Sequence, residues 1–407
     1  MKFYRGINPK QWERSHKKGV ESGQITPEDS DLIKRYITEY QAVKHVKPHR
    51  VQKTTFDLIN WRRFIQKPYS ECTTEDIYQG INDMMAGKSQ IGKPFKQNTK
   101  HDYVKALRLF LIWLIENNYS SLPIEKIRNI KVPNRDYCTT KPDEILSRED
   151  IKNLLDACNR SLDSSRDRAI IATLYESGCR IGELSRLQWR DVVFDDHGVK
   201  LSIEDHKTRK IRYTRLVMAK EYLISLKNST KFSNAGDATV FMSHKGTPLD
   251  YGAYLMIIRR AAERAGVEKR VHPHLFRKSR ITHMIQQNFQ ESVIKEIMWG
   301  NINTNMFKTY AVLSEKDIDD EILQQYGIKQ KPETHSKVLE PIQCINCYHV
   351  NPPTLNYCGK CGRSLSEEET KTMEEKVDIA RKSQDYIEII ERMEKMEREL
   401  KALKGFR

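Results

Sequence analysis

The sequence reads as a mixed, mainly α protein in four successive pieces. These are an N-terminal helical bundle, a mostly helical α/β domain with a small antiparallel sheet, a short cysteine-paired module and a terminal helix. Three observations give this reading. Apolar residues recur at helical spacing through residues 20–132, and two β-rich runs sit inside an otherwise helical stretch, 142–330. Four cysteines crowd residues 342–365, ahead of a charged tail, 366–407.

In chain order, Thr26-Pro27-Glu28-Asp29 supplies an N-cap, a proline at the first helical position and first-turn acids. A second helix carries Phe56, Ile59 and Phe64. A third follows Thr74 with Ile77, Ile81 and Met84 on one face, and a fourth aligns Val104, Leu107, Leu111 and Leu114. Short amphipathic helices on polar loops pack as a bundle. Residues 133–142, PNRDYCTTKP, have no periodicity and form a linker. Ser147-Arg148-Glu149-Asp150 then caps the next domain, whose β-rich runs are Val199–Ile203 and Ile211–Met218.

Composition narrows the function classes. The 407 residues hold 70 Lys+Arg against 55 Asp+Glu, a formal charge of +15, which points to a polyanionic partner. The longest apolar run, Leu109–Ile115, is far short of the ~20 residues of a membrane span. The basic, polar start has no leader-like apolar core. Together with the scattered Cys72, Cys138, Cys158 and Cys179, this leads us to expect a reducing, cytoplasmic setting without membrane attachment. Cys158 and Cys179 are expected simply to pack.

The chemistry-bearing residues lie in 142–330. Gly178-Cys179-Arg180-Ile181-Gly182-Glu183-Leu184 sets an arginine after a helix break, and Lys207 stands in the turn between the β-rich runs. His274 and Arg277 are three apart on one helical face; Trp299-Gly300-Asn301 follows, with Tyr310 nine residues beyond Asn301. Taken singly, each has a structural reading: a helix cap, a solvated turn lysine, a satisfied core histidine, an amphipathic core tyrosine. As an ordered set they are hard to explain that way.

This set resembles the catalytic domain of the tyrosine recombinases, the phage integrase family. The resemblance covers about 190 residues and assigns catalytic places to Arg180, Lys207, His274, Arg277, Asn301 and Tyr310, with Glu183 at a usual acidic position. The preceding helices resemble that family's core-binding DNA clamp. The resemblance implies a site-specific recombinase, most like integrases of archaeal or bacterial mobile elements. It would act on double-stranded DNA as a homotetramer through a 3′-phosphotyrosyl intermediate. Asn301 departs from the pattern, which has His or Trp there; an amide still donates a hydrogen bond but carries no charge.

Elementary chemistry fits these residue types. Two guanidinium forks hold both non-bridging phosphate oxygens and stay charged at any working pH. A tyrosine nucleophile conserves the energy of the broken strand in a covalent bond, and with a free pKa near ~10 it needs positive surroundings. The resemblance gives Lys207 the leaving-group proton, and His274 suits proton exchange with the phenol. Arginines and lysine supply the positive charge, so no catalytic metal is expected. Arg209, Lys210, Arg212 and Arg215 continue from Lys207 as a basic run expected on the DNA backbone, with Arg259, Arg260, Arg264, Lys269 and Arg270 extending it.

Cys344-x2-Cys347 and Cys358-x2-Cys361, ten residues apart, put two thiolate pairs on two tight knuckles. That pattern predicts a closed, structural four-cysteine zinc site, a small zinc ribbon; an iron–sulfur site is the competing metal reading. In the tail, Tyr386, Ile389, Met393, Met396, Leu400 and Leu403 form a short heptad seam suited to pairing, with an isolated exposed helix as the alternative. Two rival functions remain: a non-catalytic DNA-binding regulator, favoured by Asn301, and a topoisomerase-like enzyme with the same strand chemistry.

Overall fold

The computed structural model describes residues 11–137, 139–205, 209–230, 235–325, 337–365 and 384–404. The chain divides into two compact units, with the change between Thr139 and Thr140. The predicted mixed, mainly α class is what the structure shows, with one three-stranded and one two-stranded antiparallel sheet.

The first unit contains α1 Gln11–Glu21, α2 Pro27–Lys44, α3 Pro48–Trp61, α4 Thr74–Ala86, α5 Gln97–Glu116 and the short α6 Ile124–Arg128. Two of these helices start on reciprocal capping boxes. Thr26 accepts from the Asp29 amide while Asp29 accepts from that of Thr26, and Thr73 and Asp76 repeat the pattern at α4. The core takes Leu32, Ile33 and Ile37 from α2, Leu58, Ile59 and Trp61 from α3, and Leu107, Phe110, Leu111 and Leu114 from α5. The Trp61 indole donates to the Tyr103 carbonyl at 3.0 Å, so even the largest fully buried ring is satisfied. Two sequence expectations need correction. Phe56 is exposed, because the buried face of α3 runs through Val51, Leu58 and Ile59, and Phe64 lies beyond the helix end. A further helix, α1, lies mostly ahead of residue 20, with Trp12 and Val20 packed on the core.

The second unit begins with α7 Arg148–Ala157, capped by Ser147 and Asp150, and the central α8 Ser164–Ser177. One turn, α9 Ile181–Leu184, leads to the meander β1 Val192–Asp195, β2 Gly198–Glu204 and β3 Ile211–Leu216, in which Leu201 pairs with Val192 and Thr214. α10 Lys220–Ser229 follows; the Glu176 carboxylate of α8 accepts the Val217, Met218 and Ala219 amides at its start, at 2.8–3.0 Å. Then come α11 Tyr251–Ala265, α12 Pro273–Gln286, α13 Glu291–Trp299, the single turn α14 Phe307–Tyr310, and α15 Glu315–Gln325. Ile281, Met284, Ile294, Met298 and Tyr310 form a core cluster joining α12, α13 and α14. Cys158 and Cys179 are buried, and burial pushes their thiols up to about 12 and 11, consistent with inert packing.

The cysteine module adds β4 Ile342–Gln343 paired with β5 Val350–Asn351. It rests on α10 through a 2.6 Å hydrogen bond between the Tyr222 and Thr354 hydroxyls, and Nε2 of His349 lies 3.4 Å from the Glu221 carboxylate. The last helix, α16 Gln384–Lys404, exposes Ile389, Met393 and Met396 of the predicted seam. The side chains of Tyr386, Leu400 and Leu403 lie outside the described residues. No described helix is long and apolar enough to cross a membrane.

Candidate active site

α8 ends at Gly178, whose φ of +56° places it in the left-handed region, and this break turns the chain into α9 with Arg180 at its N-cap. A Cβ at Gly178 would lie 2.7 Å from both the Met298 sulfur and its methyl carbon, so any other residue would have to displace that thioether as well as adopt left-handed backbone. Arg180 is partly exposed. Its Nη1 donates to Glu183 Oε1 at 2.8 Å and to Asp205 Oδ2 at 3.1 Å.

Glu183 is the hub beneath it. Its second oxygen accepts the Arg180 amide at 2.7 Å and Nη2 of Arg212 at 2.7 Å. Burial alone would raise its pKa; Arg212 foremost, then Arg180, hold it below the usual carboxylate range.

Arg277, on α12, is 0% exposed. Its two terminal nitrogens donate to the Gly178 carbonyl at 2.6 Å and the Met298 carbonyl at 2.7 Å, so it ties the ends of α8 and α13 together. Its guanidinium carbon lies 4.9 Å from the Trp299 ring centroid and 5.3 Å from that of Tyr310. Burial, then the charges of Arg180 and Arg212, lower its pKa to about 10, which still leaves it charged at neutral pH. Tyr310 ends α14 at 8% exposure, its ring packed edge-on against Trp299 at 5.6 Å. The segment after it is moored where Thr282 donates to the Val312 carbonyl.

His274 sits in the first turn of α12, one turn before Arg277, with its side chain exposed. Desolvation, then the positive charge of Arg277, with His272, Arg180 and Lys278 adding to it, lower its pKa and favour the neutral imidazole. The structure therefore brings Arg180, Arg277 and Tyr310 together around Glu183, with His274 on the adjoining turn. Lys207 lies outside the described residues.

Asn301 stands apart from this packing. Its side chain is exposed, and its amide oxygen accepts the Asn303 amide at 2.9 Å, fastening its own turn. Trp299, two residues earlier, is the residue seated on Arg277 and Tyr310.

The basic run also differs from expectation. β3 alternates, so Arg212 points inward with Thr214 and Leu216; it binds Glu183 and the Ile297 carbonyl, and is an internal strut rather than a DNA-backbone contact. Arg215 is held bidentate by Asp195 at 2.7 and 3.0 Å, which neutralises its charge. Arg209 is exposed and paired with Glu204, and Lys210 is exposed beside it. On the wider surface Arg260 and Arg270 are exposed, Arg264 is half-buried with its Nε donating to the Arg260 carbonyl, Arg259 pairs with Glu263, and Lys269 is committed to Asp150 and the Ile145 carbonyl. The sequence reading missed Asp205 and the internal role of Arg212. No local signal marked the latter: Ile211 and Tyr213, the apolar residues at the start of β3, face outward, and Arg212 faces inward to Glu183.

The four cysteine sulfurs all lie within 4.8 Å of one another, with Cys344 to Cys361 at 3.6 Å and Cys347 to Cys358 at 3.5 Å. A tetrahedral S4 site with metal–sulfur bonds of ~2.3 Å has sulfur–sulfur edges near ~3.8 Å, so the donor set fits one metal ion. The knuckles match: the Cys344 and Cys358 amides donate to the His349 and Arg363 carbonyls, and Asn351 reaches Sγ of Cys358 at 3.6 Å.

Residues 144–317 match the phage integrase family. The chain is 29% identical over 202 residues to tyrosine recombinase XerD of Chlorobaculum tepidum, covering 48% of this chain and 64% of that protein. It is 28% identical over 189 residues to transposase A from transposon Tn554 of Staphylococcus aureus, covering 43% and 50%. It thus spans under two thirds of the length of these relatives. Among solved structures it is similar to XerH site-specific recombinase bound to difH substrate, with a TM-score of 0.53 at 15% identity, covering 79% of this chain and 89% of that one. A lambda integrase dimer bound to a COC′ core site gives 0.54 at 16%, covering 69% and 76%. At these identities the likeness is one of fold.

Proposed function

We propose, from the premise that residues 144–317 form a phage integrase family domain, that the chain is a site-specific DNA recombinase that cleaves and rejoins strands through Tyr310. The observation that carries this reading is the convergence of partly exposed Arg180 with buried Arg277 and Tyr310 in one cluster braced by Glu183.

In this reading Arg180 and Arg277 hold the non-bridging oxygens of the scissile phosphate. They stabilise the charge that grows there as the phenolic oxygen of Tyr310 attacks phosphorus. The phenol gives up its proton, with neutral His274 as acceptor. The bond from phosphorus to the 5′ oxygen breaks, and that oxygen takes a proton from Lys207. A 3′-phosphotyrosyl linkage and a free 5′-hydroxyl result; attack by another 5′-hydroxyl reverses the step and restores the phenol. These groups supply the charge and proton transfer this chemistry needs, without a catalytic cofactor. The helices before Thr139 serve as a clamp on duplex DNA, and exposed Arg209 and Lys210 meet its backbone. Four subunits assemble on two duplexes for exchange. The four cysteines hold a structural zinc ion, which fixes the module on α10. The non-catalytic regulator is not favoured, since relatives of this domain are named as recombinases and a transposase.

The test is covalent capture. Labelled nicked duplexes carrying the junctions of the element that encodes the chain are incubated with wild type and Tyr310→Phe. A denaturation-resistant adduct, lost only in the Phe variant, is expected. No adduct despite demonstrated binding to that DNA would overturn the reading.

A further inference from the structure

We propose that Trp299 is the neutral hydrogen-bond donor of the cleavage site, giving its indole N–H to a non-bridging oxygen of the scissile phosphate in place of Asn301. This deepens the recombinase reading above and rests on it.

Four observations lead there. Asn301 is exposed, with its amide oxygen spent on the Asn303 amide. The Trp299 ring packs against the Arg277 guanidinium at 4.9 Å and the Tyr310 ring at 5.6 Å, touching both an anion-binding group and the nucleophile. Its Nε1 is buried and finds no acceptor among the described residues. Nε of Arg277 is in the same condition, although both terminal nitrogens of that residue are engaged.

A buried N–H without a partner disfavours the folded state, and a phenyl ring would pack here without that cost. Two such donors on two residues in mutual contact, both beside Tyr310, call for one shared acceptor. With a guanidinium contributing, that acceptor is an anion, and a phosphate offers several oxygens to a divergent pair of donors. The left-handed cap at Gly300, φ +60°, ends α13 directly after Trp299 and fixes where the indole sits. An indole N–H donates at any working pH and never competes for the phenolic proton, so it adds transition-state stabilisation without disturbing the proton transfers.

The experiment is single-turnover cleavage of the nicked duplex by wild type, Trp299→Phe and Asn301→Ala, with DNA affinity measured alongside. We expect Trp299→Phe to cleave about 100-fold more slowly at unchanged affinity, and Asn301→Ala to stay within about threefold of wild type. Benzothienylalanine at position 299 keeps the bicyclic shape and lacks the N–H. It should reproduce the Phe defect even if Phe lowers the melting temperature. Substrates with a methyl group replacing one non-bridging oxygen, in separate stereoisomers, distinguish donation from packing. The Phe penalty should vanish on one isomer and persist on the other. Wild-type cleavage by the benzothienyl variant, or equal Phe penalties on both isomers, overturns the proposal. Absence of any Tyr310-dependent adduct from wild type instead removes the recombinase reading beneath it.

Discussion

Arg212 and Glu183 form a 2.7 Å ion pair whose side chains are only 2% and 3% exposed, and through it the sheet carries the arginine at the N-cap of α9. Removing one partner leaves the other charge buried without its counterion. Glu183→Gln and Arg212→Ala should each destabilise the second unit by about 3–5 kcal/mol, read by chemical denaturation. The double variant should cost clearly less than the sum, because the uncompensated charge is gone.

Arg277→Lys should retain DNA binding yet lower the cleavage rate by about 100- to 1,000-fold, measured as covalent adduct formed per unit time. A lysine has no planar fork to span the Gly178 and Met298 carbonyls while lying against two rings.

Gly178→Ala forces a side chain into left-handed backbone and into the Met298 thioether. We expect a loss of about 1–2 kcal/mol from the conformation alone, seen as a lower melting temperature. Met298→Ala in that background should restore little, since it relieves only the contact.

The purified 407-residue chain should contain about one zinc per chain by elemental analysis, and Cys358→Ser should reduce that content sharply. Stripping the metal with a chelator should speed amide exchange in β4 and β5 while leaving α8 protected.

Two buried histidines predict an acid sensitivity distinct from that of the carboxylates. Burial foremost, with nearby positive charge, lowers His283 to about 3 and His16 to about 4. Unfolding lets each take up a proton near the ordinary value of ~6.5, so the unfolded state binds more protons and stability falls as pH drops from 7 to 5. Each should contribute about 2 kcal/mol over that interval, His16 to the first unit and His283 to the second. His283→Gln should flatten the pH dependence of the second unit only, followed by denaturation at the two pH values.

Much of this arrangement could be read from residue order. Capping boxes at Thr26 and Ser147 announce their helices because the hydrogen bonds are local. The spacing of His274 and Arg277 on one helix face, like the Cys344-x2-Cys347 knuckle, is equally local. Arg212 was misread because a run of basic residues hides strand alternation: the inward position is decided by Glu183, 29 residues away. Lys269 was misread for the same reason, its partner Asp150 lying 119 residues earlier. Trp299 looked like a neighbour of the family position, and only its packing on Arg277 separates it from Asn301. Short β1 carries too few residues to show a period.

Counted as formal charges, the braced cluster has a definite deficit. Arg180, Arg212 and Arg277 bring three cations, and Glu183 and Asp205 return two anions. The excess of one is felt at Arg277, whose pKa is lowered first by its own burial and then by the neighbouring charges of Arg180 and Arg212. One phosphodiester carries the single negative charge that would bring this cluster to electroneutrality. On the recombinase reading proposed above, its arrival should therefore raise the proton affinity of Arg277 and relieve an electrostatic tension that the free protein already holds.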